Sequence, residues 1–429
     1  MIADNKPFLP IVEANKLERY RYNPIDIDTI QIVDKIIKDI SNRGETALRE
    51  YATYYGDIMP GAPLLIDKKD FKSYVSKVDI EKIELIERTA IRIRDFARQQ
   101  LQTISELNAS IEGGKAGHRL LPITTAGCYS PGGRYPLLST VLMTVIPARI
   151  AGVENVIVAT PKPSPDMIAA AYIAEADCIL TIGGAQAIAG MVYGTGDIPR
   201  CDLIVGPGNR WVSAAKQLLY GQVAIDMIAG PSELVVFADD SANSKMIAID
   251  LLAQAEHDTD ALPVLISLSS KLVDDVRSDL KRLLDEYPTE TAERSLANGF
   301  AVKVNNIDEG VDLCNQIAPE HLELNLKDVA NVIPKLKHYG ALFIGQQTAE
   351  VFGDYGAGPN HVLPTSGTAR FASGLSVMTF LRQATWLELD SSDDDSAVAR
   401  DAADFARLEG LYWHSRAAQV RMNRSDQKE

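Results

Sequence analysis

Four of the six histidines in this 429-residue chain sit in short stretches rich in acids, amides and glycine. These are Gln254-Ala255-Glu256-His257, Pro319-Glu320-His321, the run from Gly353-Asp354-Tyr355 to Asn360-His361, and Glu409-Gly410-Leu411-Tyr412-Trp413-His414. Imidazole is the usual nitrogen ligand of zinc and the usual proton carrier near neutral pH. The distribution therefore points to a metal site with acid/base groups beside it, and so to an enzyme.

Each motif has a chemical reading and a plainer one. Gln254 and His257 are three residues apart near the end of an apolar helix, which puts their side chains on one face, where both can bind one ion. The amide supplies only a neutral oxygen, so an anionic partner is needed, and a surface-facing helix end accounts for the spacing better. In Glu320-His321 a carboxylate beside an imidazole can relay protons in two successive steps, although such dipeptides are common at surfaces. From Gly353 to His361, glycines 353, 356 and 358 with Pro359 exclude a regular element. That loop follows a strand at Ala341–Ile344 and so falls where α/β proteins place ligands, or it is a tight turn closed by Asp and Asn. Glu409 and His414 are five apart on an expected helix, roughly 140° around its axis, so one straight face does not present both unless Gly410 relaxes it.

Gly206-Pro207-Gly208-Asn209 lies between an expected strand and helix, like a phosphate-cradling turn. It lacks the G-x-G-x-x-G spacing, with Arg210 and Trp211 where a third glycine would approach, and a plain strand-to-helix turn explains it better. Tyr129-Ser130-Pro131-Gly132-Gly133 and Gly183-Gly184-Ala185-Gln186 are two further glycine turns in the same half of the chain, which suggests one rim.

These groups need a scaffold. Hydrophobic residues make up 46% and charged residues 24%, a globular composition, and the length implies two or three domains. A net charge of −15, spread along the chain, argues against a nucleic-acid partner. The N-terminus has no basic-then-apolar signal, and the longest apolar stretch, Leu137 to Ala151, is broken by Pro147 and Arg149. No membrane association and a cytoplasmic location are expected. Cys128, Cys178, Cys201 and Cys314 are far apart without a C-x-x-C pair, and read as small buried hydrophobes.

From Pro24 to about Ser110 the apolar spacing is helical. From Asn155 short β-branched runs alternate with helices, at Val156–Ala159, Cys178–Thr181 and Leu203–Val205, then at Leu234–Phe237, Val264–Ile266, Ala301–Val304 and Ala341–Ile344. Such alternation implies βαβ units, parallel sheets and two α/β domains. A polar joint from Asp390 to Ser396 precedes a final helix expected from about Ala397 to Met422.

Together the segments resemble the histidinol dehydrogenase family. The matching stretches are Gly127–Gly133, Gly206–Asn209, Ile225–Glu233, Gln254–Asp258, Ala318–Leu324, Gly353-Asp354 with Gly358–Gly367, and Glu409–Leu411 with His414, in order over essentially the whole chain. The resemblance implies two Rossmann-like parallel-sheet domains, one inserted in the other, with a helical N-terminal segment and a C-terminal helical tail. The expected division is 1–23 as an N-terminal segment, 24–128 with 234–376 as the domain of the metal and catalytic residues, 129–233 as the inserted NAD-side domain, and 377–429 as the tail.

The resemblance also implies one zinc per active site, held by Gln254, His257, Asp354 and His414, and NAD as the oxidant. The reaction implied is oxidation of L-histidinol through its aldehyde to L-histidine by two hydride transfers, the last steps of histidine biosynthesis. His321 matches the base that takes the alcohol proton, and Glu320 the group that activates water. Ser232, Gln254, His257, His321, Asp354, Glu409 and His414 match substrate contacts, and Tyr129, Gln186 and Asn209 cofactor contacts. The family's tail reaches into a partner subunit, which implies a homodimer whose sites are completed by exchanged Glu409 and His414. Trp413 stands where a small residue is commoner, and Cys128 and Ser130 vary the turn around Tyr129. Two other readings are a paralogous zinc/NAD dehydrogenase of another primary alcohol, such as a sulfonated propanediol, and a zinc hydrolase using the same donors on metal-bound water.

Overall fold

The computed structural model describes residues 8–14, 25–132, 136–390 and 397–422. Most of the expected N-terminal segment, Gly133 of the first glycine turn, and residues 391–396 of the polar joint lie outside the described residues. The chain divides into two compact units, residues 1–101 with 123–380 and residues 102–122 with 381–429.

The strands, in chain order, are β1 (Leu65–Asp67), β2 (Leu107–Ile111), β3 (Gly114–Pro122), β4 (Thr125–Tyr129), β5 (Asn155–Ala159), β6 (Cys178–Leu180) and β7 (Leu203–Val205). They continue with β8 (Ala224–Ile225), β9 (Glu233–Ala238), β10 (Leu262–Ser267), β11 (Phe300–Lys303), β12 (His321–Asn325), β13 (Ala341–Ile344) and β14 (Leu381–Leu389).

The first unit holds two sheets. One has the order β1-β6-β5-β4-β7-β8, parallel except for its edge strand β1. Its inner strands β4, β6 and β7 are buried along their whole length, as a sheet covered on both faces requires. The chain lays down β4, then β5 and β6 to one side, then β7 and β8 to the other. The crevice of such a sheet therefore opens between the carboxyl ends of β4 and β7. The other sheet is wholly parallel, in the order β11-β10-β9-β12-β13.

Parts of residues 24–128, expected to group with 234–376, join the first sheet instead. Strands β1 and β4 belong to the first sheet. Val33, Ile36, Ile37 and Ile40 of the helix Ile27–Arg43 form an i, i+3, i+4, i+7 stripe packed in one core with Ile188, Met191 and Val212. That helix starts on Asp26, whose carboxylate accepts from Thr29 N–H, and stops at Gly44 in a positive-φ conformation (58°). The helical spacing of this region is also observed as the long helix Ile80–Gln102. Of the N-terminal segment, Leu9 is fully buried and Ile11 bridges to Ala301 at the edge of the second sheet.

The second unit is an antiparallel sheet, β14-β3-β2, with two helices, Ala397–Leu408 and Tyr412–Met422. The tail expected to be helical thus begins with a nine-residue strand, in register with β3 from Leu381↔Pro122 to Leu389↔Gly114. The single final helix is divided because Gly410 takes φ 76°, a conformation that ends a helix. Among the described residues no helix is long and apolar enough to cross a membrane. The four cysteines are buried and unpaired, and burial raises their thiol pKa values, to about 12 for Cys128 and Cys178.

Candidate active site

The second sheet carries its chemistry at the amino ends of its strands. Glu233 is the first residue of β9 and His321 the first of β12, and β12 pairs beside β9. The backbone of Glu233 serves both expected catalytic residues: its N–H donates to Glu320 Oε2 at 2.9 Å, and its carbonyl lies 3.0 Å from His321 Nδ1. A carbonyl only accepts, so Nδ1 carries the proton and Nε2 presents its lone pair. His321 Nε2 is buried without a hydrogen-bond partner, 3.7 Å from Asp354 Oδ1. Burial lowers the His321 pKa and so favours the neutral ring, and the Asp354 charge opposes this only in part. Glu320 is driven well above the usual carboxyl range by burial, with the charges of Glu233 and Asp354 adding to the rise. Its neighbours make it a strong base once ionised.

Asp354 ends a one-turn helix, Glu350–Asp354. Residues 353 and 354, expected in an irregular loop, are therefore helical, and the chain has turned back from the carboxyl end of β13 toward His321. One contact fixes that return: Glu350 N–H donates to Glu323 Oε1 at 2.9 Å, and Glu323 shares a face of β12 with His321. Past Asp354, His361 holds the segment in place, with Nδ1 3.0 Å from the Asp354 carbonyl and Nε2 3.1 Å from Thr140 Oγ1. Thr140 lies on the helix Leu138–Ala151, which packs on the first sheet.

Gln254 lies in the last turn of the helix Ser244–Ala255 and is completely buried, so the surface-facing reading of this helix end does not hold for it. Its amide nitrogen faces the Glu350 carboxylate, at 2.9 Å from Oε2 and 3.3 Å from Oε1; the opposite orientation would set oxygen against oxygen. Glu350 Oε2 is itself 3.6 Å from His321 Nδ1. His257, just beyond the helix, is about one-third exposed, with Nε2 3.7 Å from Asp354 Oδ2. Asp354 thus stands between two imidazoles. Ser232 immediately precedes β9, beside Glu233.

This donor set fits a zinc ion. Two ligands on a tetrahedral zinc with bonds of about 2.0–2.1 Å are about 3.3 Å apart, close to the 3.7 Å between His257 Nε2 and Asp354 Oδ2. Among the described residues no three of His, Cys, Asp and Glu are grouped to hold a metal. The composition of the expected set explains this: within the first unit it has one His, one Asp and a Gln amide, which is an open site. The fourth expected ligand, His414, is an exposed residue of the helix Tyr412–Met422 in the second unit, and Glu409 is exposed just past the helix Ala397–Leu408. Because Gly410 separates the two helices, the 140° helix-phase difficulty does not arise.

The three expected cofactor residues lie at the carboxyl edge of the first sheet. Tyr129 ends β4, and its hydroxyl accepts from Gly184 N–H at 3.2 Å. Gly206 follows β7 at φ 108°, and a Cβ there would fall 2.0 Å from the Tyr129 carbonyl, so only glycine allows the two strand ends to close together. Asn209 caps the helix Arg210–Leu219, accepting from Trp211 and Val212 N–H. Behind this turn, Lys216 is buried in an ion pair with Asp226, and both bond the backbone of Gly206. Gln186 is buried in the first turn of the helix Gly184–Tyr193.

Glu233, Glu323 and Glu350 line this site without standing in any of the histidine motifs. Glu350 and Asp354 have i, i+4 spacing, a readable signal that Gly353 disguised.

A family profile described as Histidinol dehydrogenase matches residues 21–422. The chain belongs to the histidinol dehydrogenase family. Relatives carrying that name include one from Pseudomonas fluorescens, 39% identical over 400 residues, covering 91% of this chain and 90% of that protein. Another, from Methanococcus maripaludis, is 40% identical over 399 residues, 91% of this chain and 93% of its own. The crystal structure of histidinol dehydrogenase from Elizabethkingia anophelis superposes with a TM-score of 0.90 at 31% identity, covering 98% of this chain and 99% of that one. As a histidinol dehydrogenase family member the chain is an oxidoreductase, and its parallel-sheet α/β architecture is the expected one.

Proposed function

We propose that the chain is a zinc-dependent, NAD-linked enzyme that oxidises L-histidinol to L-histidine by way of L-histidinaldehyde, closing histidine biosynthesis. The observation that carries this reading is His321: a buried imidazole, anchored through Nδ1, with a free Nε2 lone pair beside Asp354. Gln254, His257 and Asp354, with His414, would hold zinc, which supplies a positive charge to bind the substrate's imidazole and amine, while NAD supplies the hydride acceptor.

The chain's residues do the rest. Ser232, Gln254, His257, Asp354 and Glu409 orient the substrate. His321 Nε2 takes the hydroxyl proton as the carbon gives up its hydride, and the product is the aldehyde. Glu320, raised in pKa by its burial, takes a proton from water as it adds to that aldehyde, so the hydrate can lose the second hydride.

Exchange of tails in a homodimer is part of the reading. It is supported by the apolar side chains that the second unit leaves in solvent, among them Phe405, Leu408, Tyr412 and Trp413. The test is a stoichiometry. Purified protein with L-histidinol and NAD should form about two NADH per histidinol consumed, suppressed by a chelator and restored by zinc. About one NADH would remove the Glu320 step, and none would remove the function.

A further inference from the structure

The helix Gly184–Tyr193 begins on two glycines and has no side-chain cap of its own. Free backbone N–H groups at such a start attract an anion, and at the carboxyl edge of a parallel sheet that anion is ordinarily a ligand's phosphate. Here the position is filled from within. Asp57, in the turn after the helix Glu45–Tyr54, accepts from Gly183 N–H at 3.0 Å and from Gln186 Nε2 at 3.1 Å, both on its Oδ2. The Tyr129 hydroxyl takes the next donor, Gly184 N–H. Gly184 stands at φ 65°, and a Cβ there would meet Gln186 Oε1 at 2.8 Å. The Gln186 amide is therefore folded against the helix start and held by a carboxylate that arrives from 129 residues away.

We infer that Asp57 is a positioning residue for the nucleotide: it is the resident anion of this helix start and it fixes Gln186 at the rim. The inference rests on the reading above that Gln186 lies at the NAD site. A free glutamine side chain has three torsions to immobilise on binding, and a charge-assisted hydrogen bond in the unbound protein removes that cost beforehand. With Asp57 in place the helix start is closed to phosphate, and the nucleotide is directed to the crevice between β4 and β7.

The test is a set of NADH titrations, followed by cofactor fluorescence, on the full-length zinc-loaded enzyme, with Tm measured in parallel. Asp57→Ala and Gln186→Ala should each weaken NADH about tenfold, the loss of one charge-assisted hydrogen bond. The double variant should bind no worse than Gln186→Ala alone, because one residue acts through the other. Asp57→Asn keeps an oxygen for both bonds but not the charge, so it should recover about half of the alanine loss and bind NADH roughly threefold below wild type. Asp57→Ser, too short to reach either donor, gives the same readout as alanine and replaces it if alanine does not fold. Wild-type NADH affinity in Asp57→Ala, a double variant whose loss is the product of the two singles, or failure of asparagine to rescue overturns the inference. Wild-type affinity in Gln186→Ala overturns instead the placement of NAD at Gln186.

Discussion

His321→Asn separates the proton acceptor from the fold around it. Asparagine keeps an N–H that can donate to the Glu233 carbonyl, 3.0 Å from the present Nδ1, and deletes Nε2 altogether. Loss of a positioned general base costs about a hundred- to ten-thousandfold, roughly 3–5 kcal/mol of transition-state stabilisation. Stopped-flow measurement of NADH from L-histidinol should show this loss in kcat, with Tm and zinc content unchanged. Oxidation of added L-histidinaldehyde, which depends on Glu320, should be affected far less. The pH profile gives a second readout. Burial lowers the folded-state pKa of His321 below 6.5, so its lone pair is free at neutral pH, and the wild-type rate falls only as pH drops through that lower value. Retention of histidinol oxidation within a few-fold of wild type by His321→Asn would refute the assignment.

Glu233 predicts a pH-dependent stability. Burial raises its pKa to about 7, so its contribution is complete below pH 4.5 and is lost as pH rises through about 7, on the order of 3 kcal/mol. The Tm of metal-free protein should fall between pH 5.5 and 8, and Glu233→Gln should flatten that fall; an equally steep decline in the variant contradicts it. Lys216→Met leaves Asp226 as an uncompensated buried charge under the Gly206 turn, and denaturant unfolding should show a loss of about 3–5 kcal/mol. Mixing two inactive variants, His321→Asn and His414→Asn, under subunit exchange should restore activity, because one site of each heterodimer has both histidines. No recovery after demonstrated exchange would place His414 and His321 of one site on the same chain.

The sequence revealed most where one local rule governs. The alternation from Val156 to Ile344 read correctly as parallel strands because those runs are short, mostly apolar and separated by helical spacing, and Asn209 read correctly as a helix start beside glycine. The misses are non-local. Strand β14 joins β3 across more than 250 residues, and nothing local to Leu381–Leu389 identifies that partner. Strands β1 and β4 join a sheet whose other members come later, so the helical character of residues 24–110 concealed their partners. Gln254 looked like a surface glutamine because its neighbour Glu350 is 96 positions downstream. Asp57 was invisible for the same reason: its two donors lie beyond residue 180. The break at Gly410 was open to inspection, and the helical spacing on either side of it hid the stop.

The proposed mechanism requires one cation held between Gln254, His257 and Asp354. Diffraction data collected on either side of the zinc absorption edge, from crystals of the metal-loaded protein, locate that ion directly. The expected result is one anomalous peak per site, about 2.0–2.2 Å from His257 Nε2 and from an Asp354 oxygen, with the Gln254 carbonyl oxygen completing the face. A peak bound elsewhere, or full zinc occupancy with these three side chains left uncoordinated, contradicts it.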